Sequence, residues 1–175
     1  RVALRAHRRV FDQHLYTHRV DQVLDQVGLA ALDGADLTTP AAPISVVVST
    51  NRPHQLDHVL SFVGAQLHDQ VQLVLVQHGF ETPPGELARR AAERGVDDLV
   101  ALAAPAGLTL GACLNLGVSS ADGRYLAKMD DDNVYGPHYL GDLVRAFSYT
   151  DAEVVGKWAH LVHLQGPDAT VLRFP

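Results

Sequence analysis

Between Ile44 and Asp130 the chain alternates short apolar runs with segments of helical spacing, and this alternation restricts its possible folds more than any other feature. "ISVVVST" (44–50) is almost continuously apolar and β-branched, as a strand covered on both faces must be. "VQLVLVQ" (71–77) and "DLVALAA" (98–104) repeat the pattern, and "RYLAKMD" (124–130) supplies a fourth run. Between them, "HQLDHVLSFVGAQL" follows Pro53, a residue suited to the first helical position; "GELARRAAERG" reads as a charged surface helix and "LTLGACLNLGVSSA" as a helix of small residues. Strand and helix alternating at this interval predict βαβ units with right-handed crossovers. The fold class is therefore α/β, a mostly parallel sheet with helices on both faces.

Ahead of that core, "VFDQHLYTHRVDQVLDQVGL" places Val10, Phe11, Leu15, Val20, Val23, Leu24 and Val27 at mixed three- and four-residue intervals. This spacing predicts one amphipathic helix, closed by Gly28. "DGADLTTPAAP" (33–43) reads as a linker, with a boundary near Thr39: an N-terminal helix and linker over 1–39, and an α/β unit over 40–175. The chain opens on Arg1 without Met and stops at Pro175 directly after a strand-like "ATVLRF", so a piece of a longer polypeptide, truncated at its C-terminus, is expected.

Composition narrows the function. A chain of 175 residues with 47% hydrophobic content suits one ordinary domain with a continuous core. The net charge is −6 and no Lys/Arg block occurs, which argues against a nucleic-acid partner. No run approaches the roughly 20 apolar residues that span a bilayer, and the opening "RVALRAHRR" is too charged for the apolar part of a signal peptide. The single Cys113 has no partner for an internal disulfide, which fits a reducing, cytoplasmic setting.

Three consecutive carboxylates, Asp130, Asp131 and Asp132, end the fourth apolar run. Like charges at this density repel, so the segment is either a solvated acidic turn or it surrounds something positive. In an extended segment, residues two apart point the same way, which lets Asp130 and Asp132 share a target while Asp131 faces away. A hard divalent ion, Mg2+ or Mn2+, commonly takes one or two carboxylates plus waters and phosphate oxygens. Ligands of parallel sheets sit beyond the carboxyl ends of strands. There the sequence places Thr50, Asn51 and Arg52 after the first strand, Gln77, His78 and Gly79 after the second, and the aspartates after the fourth.

These segments carry a resemblance. The strand ending in "STNRP", the strand ending in "VQHG", the stretch "GLTLGACLNLGVSSADGRYLAKMDDDN" and the following "GPHYL" together resemble the nucleotide-binding half of a GT-A glycosyltransferase of family 2, from about Pro43 to Phe174. The resemblance implies a Rossmann-like nucleotide-binding fold. It also implies transfer of a sugar from a nucleoside-diphosphate sugar, a UDP-sugar above all, to a glycan or other acceptor, with inversion at the anomeric carbon. Position by position it implies Mn2+ or Mg2+ at Asp130 and Asp132, and donor contacts at Thr50, Arg52, Gln77, Asn115, Lys128, Asp130 and Asp131. Asn115 and Gly117 match the family's Asn-x-Gly. Two departures stand out: Gln77 and His78 replace an acidic residue after the second strand, and Leu114 replaces an Arg. No catalytic base is identified, and the resemblance places it in the acceptor-binding part beyond this chain, so nucleotide binding without robust transfer is expected of residues 1–175. A second resemblance links "FDQHLYTHRVDQVLDQVGL" to the terminal helix of spore-maturation-type GT-B glycosyltransferases.

Plainer readings accompany each residue. Thr50 could cap the helix at Pro53, Arg52 could be a surface turn residue, Asn115 could bond locally, and Lys128 could form a structural ion pair with Asp130. Rival functions fit less well. "HQLDH" (54–58) has His-x-x-Asp-His spacing but no downstream zinc ligand, and His160 and His163 face opposite sides of a strand. No Gly-x-Ser-x-Gly elbow is present. Read from Asp131, "DNVYGPHYLGD" resembles an EF-hand calcium loop but puts Tyr135 at a ligand position and follows a strand-like segment. A metal-free nucleotide-binding module is the other non-enzyme reading.

Overall fold

The computed structural model describes residues 2–28 and 42–174; Thr39, the expected boundary, lies outside them. In chain order the elements are α1 (Val2–Gln13), α2 (Tyr16–Gln26), β1 (Ile44–Thr50), a 3-10 turn (Pro53–Gln55), α3 (Leu56–Gly64), β2 (Val71–His78), α4 (Pro84–Ala92), β3 (Asp98–Ala104), α5 (Leu110–Ser119), β4 (Tyr125–Lys128), α6 (Tyr139–Val144), and the strands β5 (His160–Leu164) and β6 (Ala169–Arg173).

The four apolar runs form one parallel sheet in the order β3-β2-β1-β4, as the alternation predicts. Side chains of the two central strands divide by parity. Ile44, Val46 and Val48 of β1, with Leu73 and Leu75 of β2, join a core under α3 and α4 that includes Leu56, Leu60 and Leu87. The opposite parity, Val47 and Val76, faces α5. Both faces are thus covered, which is why these strands read as unbroken apolar runs. The rim at their carboxyl ends follows from the register: Thr50 on β1 lies opposite Gln77 on β2, and Val47 opposite Lys128 on β4.

Helix α5 approaches the sheet closely at Gly117, where an added Cβ would lie 2.5 Å from Val47 Cγ1 and 3.3 Å from Val76 Cγ2. Gly117→Ala is therefore expected to cost about 1–2 kcal/mol of stability by overpacking, read as a lower urea midpoint at unchanged slope.

The N-terminal segment forms two helices instead of the single one expected. Leu15 is extended (φ −69, ψ 160) and its N–H donates to His18 Nδ1 at 3.1 Å, so the helix ends and restarts at Tyr16. Helical periodicity survives such a break, which is why spacing alone does not reveal it. Gly28, at φ +71, lies just beyond α2, as the sequence predicts. Helix α1 docks on α6: Arg8 Nε and Nη2 donate to Asp142 at 2.7 Å each, Arg145 reaches back to Asp12, and the rings of Phe11 and Tyr149 meet at 5.9 Å. Burial pushes the Asp142 carboxyl up, but the hydrogen bonds and charge of Arg8, with Lys157, outweigh it and hold the group below the usual carboxylate range. Strands β5 and β6 pair as an antiparallel ribbon. Among the described residues no helix is long and apolar enough to cross a membrane.

Candidate functional site

At the carboxyl end of the sheet, β1 and β4 bring their last residues together. The Met129 N–H donates to Val47 O at 3.2 Å, extending the parallel ladder one residue past β4 before the chain turns. Alternation of sides persists through the acidic triplet. Met129 is 1% exposed and Asp131 6%, whereas the side chains of Asp130 and Asp132 are 43% and 52% exposed. Asp131 thus faces away from its neighbours, as period two predicts, but that direction is inward, toward Thr50 and Arg52.

Asp131 is the best-held carboxylate of the three. Thr50, itself 2% exposed, donates its hydroxyl to Asp131 Oδ2 and accepts the Arg52 N–H at 3.0 Å. Arg52 Nε donates to the same oxygen at 3.0 Å, and Arg52 Nη2 donates to Asp131 Oδ1 and, at 3.0 Å, to Asp132 Oδ2. Burial would raise the Asp131 carboxyl, but the Arg52 and Thr50 hydrogen bonds and the guanidinium charge leave it below its ordinary value. The same pairing raises Arg52, through its hydrogen bonds to Asp131 first and Asp132 second. Asp130 pairs with Lys128, accepts from Asn133 Nδ2 at 3.2 Å, and sends its own N–H to Tyr135 Oη at 2.8 Å.

The positive charge demanded by three adjacent aspartates is therefore supplied in part by the chain itself, from Arg52 and Lys128. Thr50 does not cap the helix at Pro53, where Arg52 holds the N-cap position without a side-chain cap bond. Arg52 is more than a turn residue, and Lys128 forms its expected ion pair. Gln77 lies on the rim but is 2% exposed, and its Oε1 accepts the Thr82 N–H at 2.8 Å, closing the loop after β2. Asn115 lies on the exposed side of α5, about half a turn from the buried Cys113 and Gly117; its backbone carbonyl accepts from the Ser119 hydroxyl, and its side chain has no hydrogen-bond partner among the described residues. Gly79, at φ +79, makes the turn after β2, with its N–H on Ala104 O at 2.7 Å.

The sequence reading gave no role at this site to two residues that hold it together, Asn133 and Tyr135. Tyr135 looked like an obstacle to calcium; its hydroxyl instead anchors the Asp130 backbone while its ring packs on Phe62 and Tyr139, with centroids 5.0 and 4.9 Å apart. The Asn133 carbonyl contacts His58 Nε2 at 2.8 Å, tying the acidic loop to α3. His58 is thereby engaged without a metal, and β4 occupies the place where an EF-hand needs a helix.

Asp130 and Asp132 present hard, half-exposed oxygens, and among the described residues no group of three or more His, Cys, Asp or Glu side chains has metal-binding geometry. That donor set fits an ion taking one or two carboxylates and completing its shell with water and phosphate, and it does not fit an all-protein cage. A cavity of about 490 Å3 opens at the other end of the sheet, beside Gln72 and Asp122, where Gln72 Oε1 accepts from the Ser45 hydroxyl and the Asp122 N–H.

A model of glycosyl transferase family 2 matches residues 45–161, a span that runs from the second residue of β1 through β4 and the acidic loop. Over 129 residues the chain is 30% identical to an uncharacterized glycosyltransferase of Nostoc sp. (strain PCC 7120), an alignment covering 73% of this chain and 39% of that protein.

Proposed function

We infer the function from the family to which the chain belongs, glycosyl transferase family 2, and from the rim where β1 meets the acidic loop. The reading is transfer of a sugar from a nucleoside-diphosphate sugar, a UDP-sugar in the first instance, to a glycan or other acceptor, with inversion and with Mn2+ or Mg2+. The observation that carries it is the convergence of Thr50 and Arg52 with Asp130, Asp131 and Asp132 beyond the carboxyl ends of parallel strands, where such sheets bind nucleotides.

Asp130 and Asp132 would hold the cation. When bound, a divalent ion supplies neutralisation of the charge that develops on the diphosphate leaving group. Asp131 and Thr50 fix the Arg52 guanidinium at the rim, where its remaining donors would be available to the phosphates; Lys128 adds a second cation beside Asp130. Gln77 and Asn115 stay in the donor-contact reading through their positions, Gln77 by its place at the end of β2 and Asn115 by its exposed side chain. We assign the base that deprotonates the acceptor to no residue here; the chain spans 39% of its relative's length, and the reading places that base in the remainder. The likeness of α1 and α2 to a GT-B terminal helix, and a cytoplasmic setting, rest on the sequence alone.

The test is a thermal-shift panel of nucleotide sugars with Mn2+ or with chelator, since a ligand that binds only the native state raises its apparent stability. A shift for one nucleoside class that requires the metal is expected. Binding of equal strength in chelator would favour the metal-free nucleotide module, and no shift for any donor would contradict the proposal.

A further inference from the structure

The cation site proposed above is already partly neutralised by the chain. One oxygen of each carboxylate that a metal would use already meets a positive side chain: Lys128 holds Asp130 Oδ1, and Arg52 Nη2 holds Asp132 Oδ2 at 3.0 Å. The two arrangements differ. Lys128 lies two residues from Asp130 on one strand, whereas Arg52 comes from the turn after β1 and uses a single nitrogen to join two carboxylates. Its Nε also grips Asp131, and its Nη1 has no hydrogen-bond partner among the described residues. Breaking only the Asp132 contact would leave the fork on Asp131 intact and free a charged donor beside Nη1.

From this geometry, and resting on the metal assignment of the preceding subsection, we propose that Arg52 is a built-in counter-ion for Asp132 that the divalent cation displaces and the donor diphosphate then receives, so that cation and nucleotide bind as a coupled pair. The charge balance gives the reason. Three carboxylates against two cationic side chains leave the rim with one net negative charge. A divalent ion alone overshoots neutrality and leaves the displaced guanidinium without its second partner. A dianionic diphosphate alone meets a negative rim. Together they restore the starting balance, and the freed guanidinium gains a phosphate in place of Asp132. Because Asp131 is buried and fixed by Thr50, the guanidinium exchanges partners without leaving the site.

The experiment compares Mn2+ affinity of the nucleotide-free protein, read by electron paramagnetic resonance, with UDP affinity at saturating Mn2+, read by calorimetry. Arg52→Gln is expected to tighten Mn2+ alone by about tenfold, because a competing positive charge is gone, and to weaken UDP by about tenfold or more. Arg52→Lys keeps a charge but has no fork to join two carboxylates; it should tighten Mn2+ by about threefold and keep the inference testable if the Gln variant does not fold. Mn2+ affinity unchanged or weakened in the variant that folds overturns the exchange. Asp132→Ala in parallel separates the two ideas. If it loses Mn2+ while neither Arg52 variant gains, only the exchange fails; if it binds Mn2+ like the parent, the metal assignment fails with it.

Discussion

Asp132→Ala is expected to lower Mn2+-dependent affinity for UDP by about 100-fold or more while leaving unfolding free energy within about 0.5 kcal/mol of the parent. The two halves of this expectation have separate causes. The side chain is 52% exposed and its one ion-pair partner among the described residues is Arg52, which is 38% exposed; an exposed pair of this kind contributes little to folding. Binding is different, because under the proposed metal assignment Asp132 would be one of two carboxylates offered to the ion, and half of that set disappears. Calorimetric titration with UDP in Mn2+, beside a urea melt, reads both. Unchanged affinity would remove Asp132 from the site, and a collapse in stability would show that the exposed carboxylate is structural.

Asp131→Ala is expected to do the reverse, lowering stability by about 2 kcal/mol. Its side chain is 8% exposed and accepts from the buried Thr50 hydroxyl and from two nitrogens of Arg52, so truncation leaves buried donors without an acceptor. The exposure of Arg52 allows water to compensate part of the loss, which keeps the figure below the upper end for charged hydrogen bonds. Acidity supplies the sign. A carboxyl held below its unfolded value contributes stability that is fully present above the unfolded pKa of about 4 and is lost as pH falls through the folded value. The parent should therefore weaken below about pH 4, and Asp131→Asn should flatten part of that acid limb while Asp142 and the Arg90-paired Asp57, also held low, continue to contribute. Chemical melts at neutral pH and at successively lower pH measure both; an Asp131→Asn profile parallel to the parent's would place the acid sensitivity elsewhere.

The sheet was legible in the sequence because its central strands are covered on both faces, and burial on both sides leaves continuous runs such as "ISVVVST". The side taken by each aspartate was legible for the same reason, since period two continues past β4. What period two does not report is what waits on each side. The inward carboxylate meets Thr50 and Arg52, residues about 80 positions away in the chain that only the parallel register of β1 and β4 brings near. The role of Tyr135 was missed for a related reason: a loop of three aspartates suggests ligands, and nothing local announces that a phenol will hold a backbone N–H. Gly117 matched a family pattern at the site, yet its observed role is to let α5 lie against Val47. The break at Leu15 was hidden because both helices keep apolar residues at helical intervals.

The central claim is that a divalent ion and a diphosphate share the rim formed by the acidic loop and the turn after β1. A crystal grown with Mn2+ and a UDP-sugar, with data collected at the manganese absorption edge, tests it most directly. The account predicts an anomalous peak between the carboxylates of Asp130 and Asp132, bridging to the diphosphate, with Arg52 moved from Asp132 to a phosphate oxygen. Donor bound with no such peak, or Asp130 and Asp132 turned to solvent with the ion elsewhere, would contradict it.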